Sequence, residues 1–224
     1  MRKVDSGFFL TIEGGEGTGK STLVTSLYNY LVDVEKRVVV KTFEPGDTPF
    51  GKRIRELVLH QEDILITSRA ELFLYLSDRA HHVESLIKPA LNQDLIVICD
   101  RFNDSSLAYQ GAARRDSEVD KLKEVCDFAA FGLVPDLTLY LDVDPKIALA
   151  RLKRGKDRLE KEDLEFHQRV RQGYLNIAKE EPDRVYVIDA SKSQEEVYKK
   201  GLEKVLSSIK VGVRGAFSTD PYLA

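Results

Sequence analysis

At 224 residues, with 42% hydrophobic and 32% charged side chains, the chain has the size and make-up of one large globular α/β domain rather than two. Its 34 Lys and Arg nearly balance 37 Asp and Glu, and a net charge of −3 excludes a general affinity for nucleic acid or membranes. Two cysteines, Cys99 and Cys126, do not make a disulfide framework, and no apolar run approaches membrane-spanning length. Met1-Arg2-Lys3-Val4-Asp5 leads almost at once into a strand pattern, so no secretory signal and a cytoplasmic location are expected.

The first strand is predicted over Phe8-Phe9-Leu10-Thr11-Ile12. It runs into Gly14-Gly15-Glu16-Gly17-Thr18-Gly19-Lys20-Ser21-Thr22, after which Leu23, Leu27 and Leu31, spaced four apart, predict a helix. Strand, glycine-rich loop and helix form the context that a P-loop match requires. Gly14, Gly17 and Gly19 let successive amides point into one concavity, to which the helix adds its own unpaired N–H groups. Gly15, Glu16 and Thr18 complete the loop, Lys20 brings a mobile charge to the outer phosphates, and the Ser21 hydroxyl is a ligand for Mg²⁺. A nucleoside triphosphate site is expected here.

Further strands are predicted over Val38–Phe43, Leu95–Asp100, Leu137–Asp142 and Val185–Asp189, all short and nearly continuous in apolar residues, as in strands covered on both faces. The longest helical pattern runs from about Ser68 to Leu91, with Leu72, Leu76, Val83 and Ile87 on one stripe. Such alternation predicts an α/β fold, a five-stranded parallel sheet between helical layers with ligands at the strands' carboxyl ends. One domain over 1–211 is expected, with 212–224 as a tail that loses its periodicity.

The third strand ends in Asp100-Arg101. An aspartate there can hold Mg²⁺ directly or through water, and an arginine can clamp a phosphate. A surface ion pair is the bland alternative, but position favours function. Farther on, Arg151, Arg154 and Arg158 surround Gly155, and the stretch from about 151 to 160 looks like a lid over a polyanion. A solvated charge run is the alternative, and the P-loop tips the balance toward the lid.

Asp100-Arg101-Phe102-Asn103-Asp104-Ser105-Ser106-Leu107-Ala108-Tyr109-Gln110-Gly111 resembles the signature of the thymidylate kinase family. The resemblance extends over most of the chain. It takes in the P-loop, Glu44-Pro45-Gly46, Asp78-Arg79-Ala80-His81-His82, Val134-Pro135-Asp136 and Asp157-Arg158-Leu159-Glu160. It implies a three-layer P-loop nucleoside monophosphate kinase fold, and transfer of the ATP γ-phosphate to dTMP with Mg²⁺, usually by a homodimer. It also implies roles for individual residues. Glu16 sits where the family places an acid against the acceptor 3′-hydroxyl, and Tyr75 where an aromatic stacks on thymine, with helix packing as the alternative. Arg79 would reach the base oxygen or the acceptor phosphate, Arg101 would hold that phosphate, and Ser105 or Ser106 would meet the pyrimidine edge. Tyr109 would pack under the sugar beside Gln110. With no basic residue in the loop before Lys20, Arg158 is expected to contact the transition state, with Arg154 over the phosphates or adenine, as in bacterial members.

Two positions depart from the family pattern. Phe43 stands where an arginine is usual, with Arg53 or Arg55 as its replacement, and Asp47 stands where a glycine is usual. A uridylate or cytidylate kinase and a nucleotide-hydrolysing switch are the competing functions. The second lacks an Asn-Lys-x-Asp segment anywhere in the chain.

Overall fold

The computed structural model describes residues 7–61, 64–113, 119–152 and 158–212. Arg154 and the tail beyond Gly212 lie outside the described residues. Five strands, β1 (Phe8–Gly14), β2 (Val39–Phe43), β3 (Ile96–Asp100), β4 (Leu137–Asp142) and β5 (Val185–Asp189), make one parallel sheet in the order β2-β3-β1-β4-β5. Parallel neighbours need crossovers, and helices supply them. On one face Phe8, Leu10 and Ile12 pack with Leu23, Leu27 and Leu31 of α1 (Lys20–Asp33). The last helix, Gln194–Gly212, covers that face too, through Val197, Val205 and Ile209. On the other face Phe9, Val97 and Cys99 meet Val83, Ile87 and Leu91. The strand period of two therefore sends Thr11 and Glu13, like Phe9, away from α1.

The central strands match the expectation of two covered faces. The edges do not: in β5 Tyr186 and Val187 are 37% and 41% exposed, because an edge strand has neighbours on one side only.

Between β2 and β3 come α2 (Pro49–Leu59), capped by the Thr48 hydroxyl accepting from Gly51 N–H at 2.9 Å, and α3 (Ser68–His82). The helix expected to run unbroken to Leu91 widens into a π turn over Val83–Ile87 before α4 (Lys88–Leu91). Pro89 explains the interruption: it offers no N–H to the carbonyl four residues back, and its ring would crowd it. After β3 come α5 (Asn103–Ser106), a π turn over Leu107–Ala113 and α6 (Val119–Ala129). After β4 come α7 (Pro145–Ala150) and α8 (Leu164–Glu180), the latter capped by Asp163; Gln194–Gly212 is then α9. Among the described residues no helix is long and apolar enough to cross a membrane.

A buried polar staple ties the second half of the chain to the site. Arg184 grips Asp104 of α5 at 2.8 and 3.0 Å and donates to Thr138 of β4 at 2.7 Å. Removing one partner of such a pair strands the other in the interior. Arg184→Ala is expected to cost about 3 kcal/mol of unfolding free energy, measured by urea denaturation.

Candidate active site

The P-loop connects β1 to α1, and its glycines adopt positive φ: 150° at Gly14, 71° at Gly17 and 97° at Gly19. Gly17 is also a point of close approach, since a Cβ there would lie 2.0 Å from the carbonyl oxygen of Ala148 in α7. Lys20 is buried and folds back so that Nζ donates to Gly15 O at 2.7 Å, and Thr18 Oγ1 donates to the same oxygen at 3.0 Å. Ser21 and Thr22 are exposed at the head of α1. Ser21 Oγ donates to Asp100 Oδ2 at 2.9 Å, which joins the end of β3 to the loop. Hydroxyl and carboxylate oxygens side by side at an exposed edge suit a hard divalent cation. The buried group of Glu44, His82 and Cys99 also brings ligand atoms within 4.8 Å, but Glu44 is already engaged by Arg79 and His82.

Arg101 follows β3 with φ 75°, a sparsely populated backbone state for a side-chain-bearing residue. Its N–H donates to Ile12 O at 3.0 Å and Nη1 donates to Gly14 O at 2.9 Å, so the guanidinium lies against the root of the P-loop. Nη2 pairs with Glu16, and the Tyr109 ring lies beneath, its centre 5.1 Å from the guanidinium carbon. Burial alone would push the Glu16 carboxyl up, but Arg101, then Lys20 and the Tyr109 hydroxyl outweigh it and hold it at about 2.

One cavity opens beside this pair. Glu16, Arg101, Ser105, Ser106, Tyr109 and Gln110 line it together with Tyr75 and Arg79 of α3. The eight residues expected at an acceptor site thus meet around a single space, and protein groups already engage them there. Arg79 donates to Glu44 at 2.8 Å, to Ser106 Oγ at 2.8 Å and to Phe102 O at 3.0 Å, and Gln110 donates to Glu71 at 3.2 Å. Ser105 binds Glu13 at 2.7 Å. Arg158 is not brought to the P-loop: Nε donates to Val58 O at 2.8 Å and Nη2 pairs with buried Glu71, which holds it against α2 and α3.

Between the two candidates for the arginine missing at Phe43, Arg53 is exposed and Arg55 lines the cavity. Arg55 crosses the Phe43 ring at 5.6 Å and donates to Pro45 O at 2.8 Å. Gly46 makes room for it, since a Cβ there would stand 2.8 Å from Arg55 Cδ. Asp47 accepts from Thr42 Oγ1 at 2.6 Å. Glu13 and Tyr174, which organise these side chains, carried no motif signal, and Glu44 entered only within Glu44-Pro45-Gly46 with no role assigned. Their hydrogen-bonding side-chain partners here lie 35 or more residues away in sequence, and only the fold assembles them.

A parallel sheet with a P-loop after its central strand, a serine–aspartate pair beside it and a separate arginine-lined cavity defines a P-loop nucleoside monophosphate kinase. The thymidylate kinase family model matches residues 12–200, and the chain belongs to that family. It is 48% identical over 207 residues to the thymidylate kinase of Protochlamydia amoebophila, covering 88% of this chain and 91% of that one. The thymidylate kinase of Bacillus anthracis is 42% identical over 207 residues, covering 91% and 97%. The crystal structure of thymidylate kinase from Ehrlichia chaffeensis superposes with a TM-score of 0.72 at 32% identity, over 89% of this chain and 99% of that one.

Proposed function

We infer that the chain transfers the γ-phosphate of ATP to dTMP, giving dTDP and ADP. The observation that carries this is the cavity shared by Glu16, Tyr75, Arg101 and Tyr109 directly beside the P-loop. A hydrolase would need an ordered water at that place, whereas this cavity has an aromatic wall and a cationic end suited to a nucleoside monophosphate.

The acceptor phosphate oxygen is itself the nucleophile, so no strong base is required, and catalysis is positioning plus neutralisation of charge. The P-loop amides and Lys20 hold the triphosphate. Ser21 and Asp100 are the residues that would hold Mg²⁺, which would supply neutralisation of phosphate charge there. Arg101 and Arg55 orient the acceptor phosphate, Tyr75 stacks on the base, Gln110 and Ser105 or Ser106 meet its edge, and Glu16 takes the 3′-hydroxyl. Arg158 supplies positive charge to the transferring group after exchanging Glu71 for phosphate, with Arg154 over the phosphates or adenine. Arg158→Ala is therefore expected to lower kcat by about 10²-fold, and a near-wild-type rate would remove it from this role.

A cytoplasmic homodimer is the expected assembly. Phe73 of α3 and Phe128 of α6, two helices that pack together, are 55% and 84% exposed, and a second copy is the proposed cover. Sedimentation at micromolar concentration tests it, and a monomer would contradict it.

The substrate is tested with purified protein, ATP, Mg²⁺ and a panel of nucleoside monophosphates. The highest kcat/KM is expected with dTMP; a higher value with UMP or CMP would overturn the assignment.

A further inference from the structure

Glu13 takes no part in the chemistry outlined above, yet it is a fully buried acid one residue before the P-loop. Three donors meet its carboxylate: Phe102 N–H at 2.7 Å on Oε1, and Ser105 Oγ at 2.7 Å and the Tyr174 hydroxyl at 2.9 Å on Oε2. Two of these donors also face Arg101, whose Nη1 donates to Ser105 Oγ at 3.2 Å and to the Tyr174 hydroxyl at 3.3 Å. A hydroxyl owns one proton. The two hydroxyls also lie 2.8 Å apart, so their protons go to Glu13 or to each other and lone pairs are left for the guanidinium, which only donates. The Phe102 contact pins the backbone next to Arg101, where φ is 75°.

We propose that Glu13 is a positioning residue for Arg101: through the hydroxyls of Ser105 and Tyr174 and the N–H of Phe102, it fixes where the guanidinium is presented to the acceptor phosphate. The proposal rests on Arg101 being the monophosphate clamp.

Burial, and next the charge of Asp104, push the Glu13 carboxyl up to about 7, while Ser105, Arg101 and the Phe102 N–H pull the other way. Lys20 of α1, Arg79 of α3, Tyr174 of α8 and the Cys99 thiol of β3 also feel its charge. As pH falls through that value, Glu13 takes up a proton and becomes a donor. One hydroxyl then accepts from the acid and turns its own proton to the other, 2.8 Å away, so fewer lone pairs remain to accept from Arg101.

Steady-state kinetics of the intact enzyme between about pH 5.5 and 8.5 test this, comparing the wild type with Glu13→Gln and Tyr174→Phe. Glu13→Gln is expected to raise KM for dTMP about 10-fold, with KM for ATP changed less than about twofold. It should also remove an acid limb near neutral pH from kcat/KM for dTMP. The substrate phosphate titrates near pH 6 in every protein compared, so its effect cancels. Tyr174→Phe should raise KM for dTMP about threefold while leaving the acid limb in place. Equal changes in both KM values, or an acid limb surviving in Glu13→Gln, would overturn the proposal. If Glu13→Gln does not fold, the two KM values of Tyr174→Phe decide alone. A wild type that does not turn over dTMP would instead overturn the functional reading, and that is seen before any variant is compared.

Discussion

Lys20→Ala is expected to lower kcat by about 10³-fold while leaving the protein folded. The ammonium is enclosed by the loop it serves. It is buried, its Nζ donates to Gly15 O at 2.7 Å, and no acid pairs with it at salt-bridge distance among the described residues. Burial and then the neighbouring Arg101 lower its pKa, opposed by Glu16, Asp100 and Glu13. The cation is thus held near three carboxylates without being neutralised by a direct contact. Backbone amides grip phosphates in ground and transition states alike, so their energy is spent mainly on binding. A mobile cation can follow the charge that develops during transfer, and its loss falls on kcat. Initial rates at saturating ATP and dTMP, with circular dichroism to verify folding, check the prediction. A decrease of less than about tenfold would remove Lys20 from the chemistry.

Arg101→Ala is expected to have two effects of different kinds. On activity, KM for dTMP rises about 10²-fold with a smaller change for ATP, because the bidentate cation for the acceptor phosphate is gone. On stability, Glu16 loses the partner that outweighed its burial. In the wild type its carboxyl is held at about 2, so its contribution is present above the ordinary 4.5 and is lost as pH falls toward 2. In the variant the sign reverses. The unpaired carboxylate favours protonation, so the folded state is penalised at neutral pH by about 2 kcal/mol and recovers on mild acidification. Thermal melts from pH 7 to about 4.5 check this: the gap between variant and wild type should narrow as pH falls. A constant gap would show that Glu16 is not held by Arg101.

Local features of the sequence were legible, and distant assemblies were not. β4 and β5 lie at the predicted bounds, Leu137–Asp142 and Val185–Asp189, because short apolar runs bounded by turn residues have few other folded states. The P-loop could be read because its backbone shape is set by closely spaced glycines, Gly14, Gly17 and Gly19. Coverage of a strand is a property of the sheet order, which a run of apolar residues does not encode, so the exposed side chains of β5 were unforeseen. Pro89 was visible in the sequence, but an apolar stripe continuing past it concealed the π turn. At the site, signature residues such as Arg101 and Tyr109 could be named in advance. The pairings that hold them could not, because Glu13 meets Tyr174 across 161 positions and Glu44 meets Arg79 across 35. Arg158 illustrates the same limit. Its motif marks it for phosphate, but only the fold reveals the tie to Glu71.

The central claim is that the two sites exchange one phosphoryl group. The direct measurement follows label from [γ-³²P]ATP with Mg²⁺ and dTMP present. Label recovered in dTDP, one for each ADP formed and negligible without dTMP, is the predicted result. Release of the label as inorganic phosphate at a rate indifferent to dTMP would contradict it.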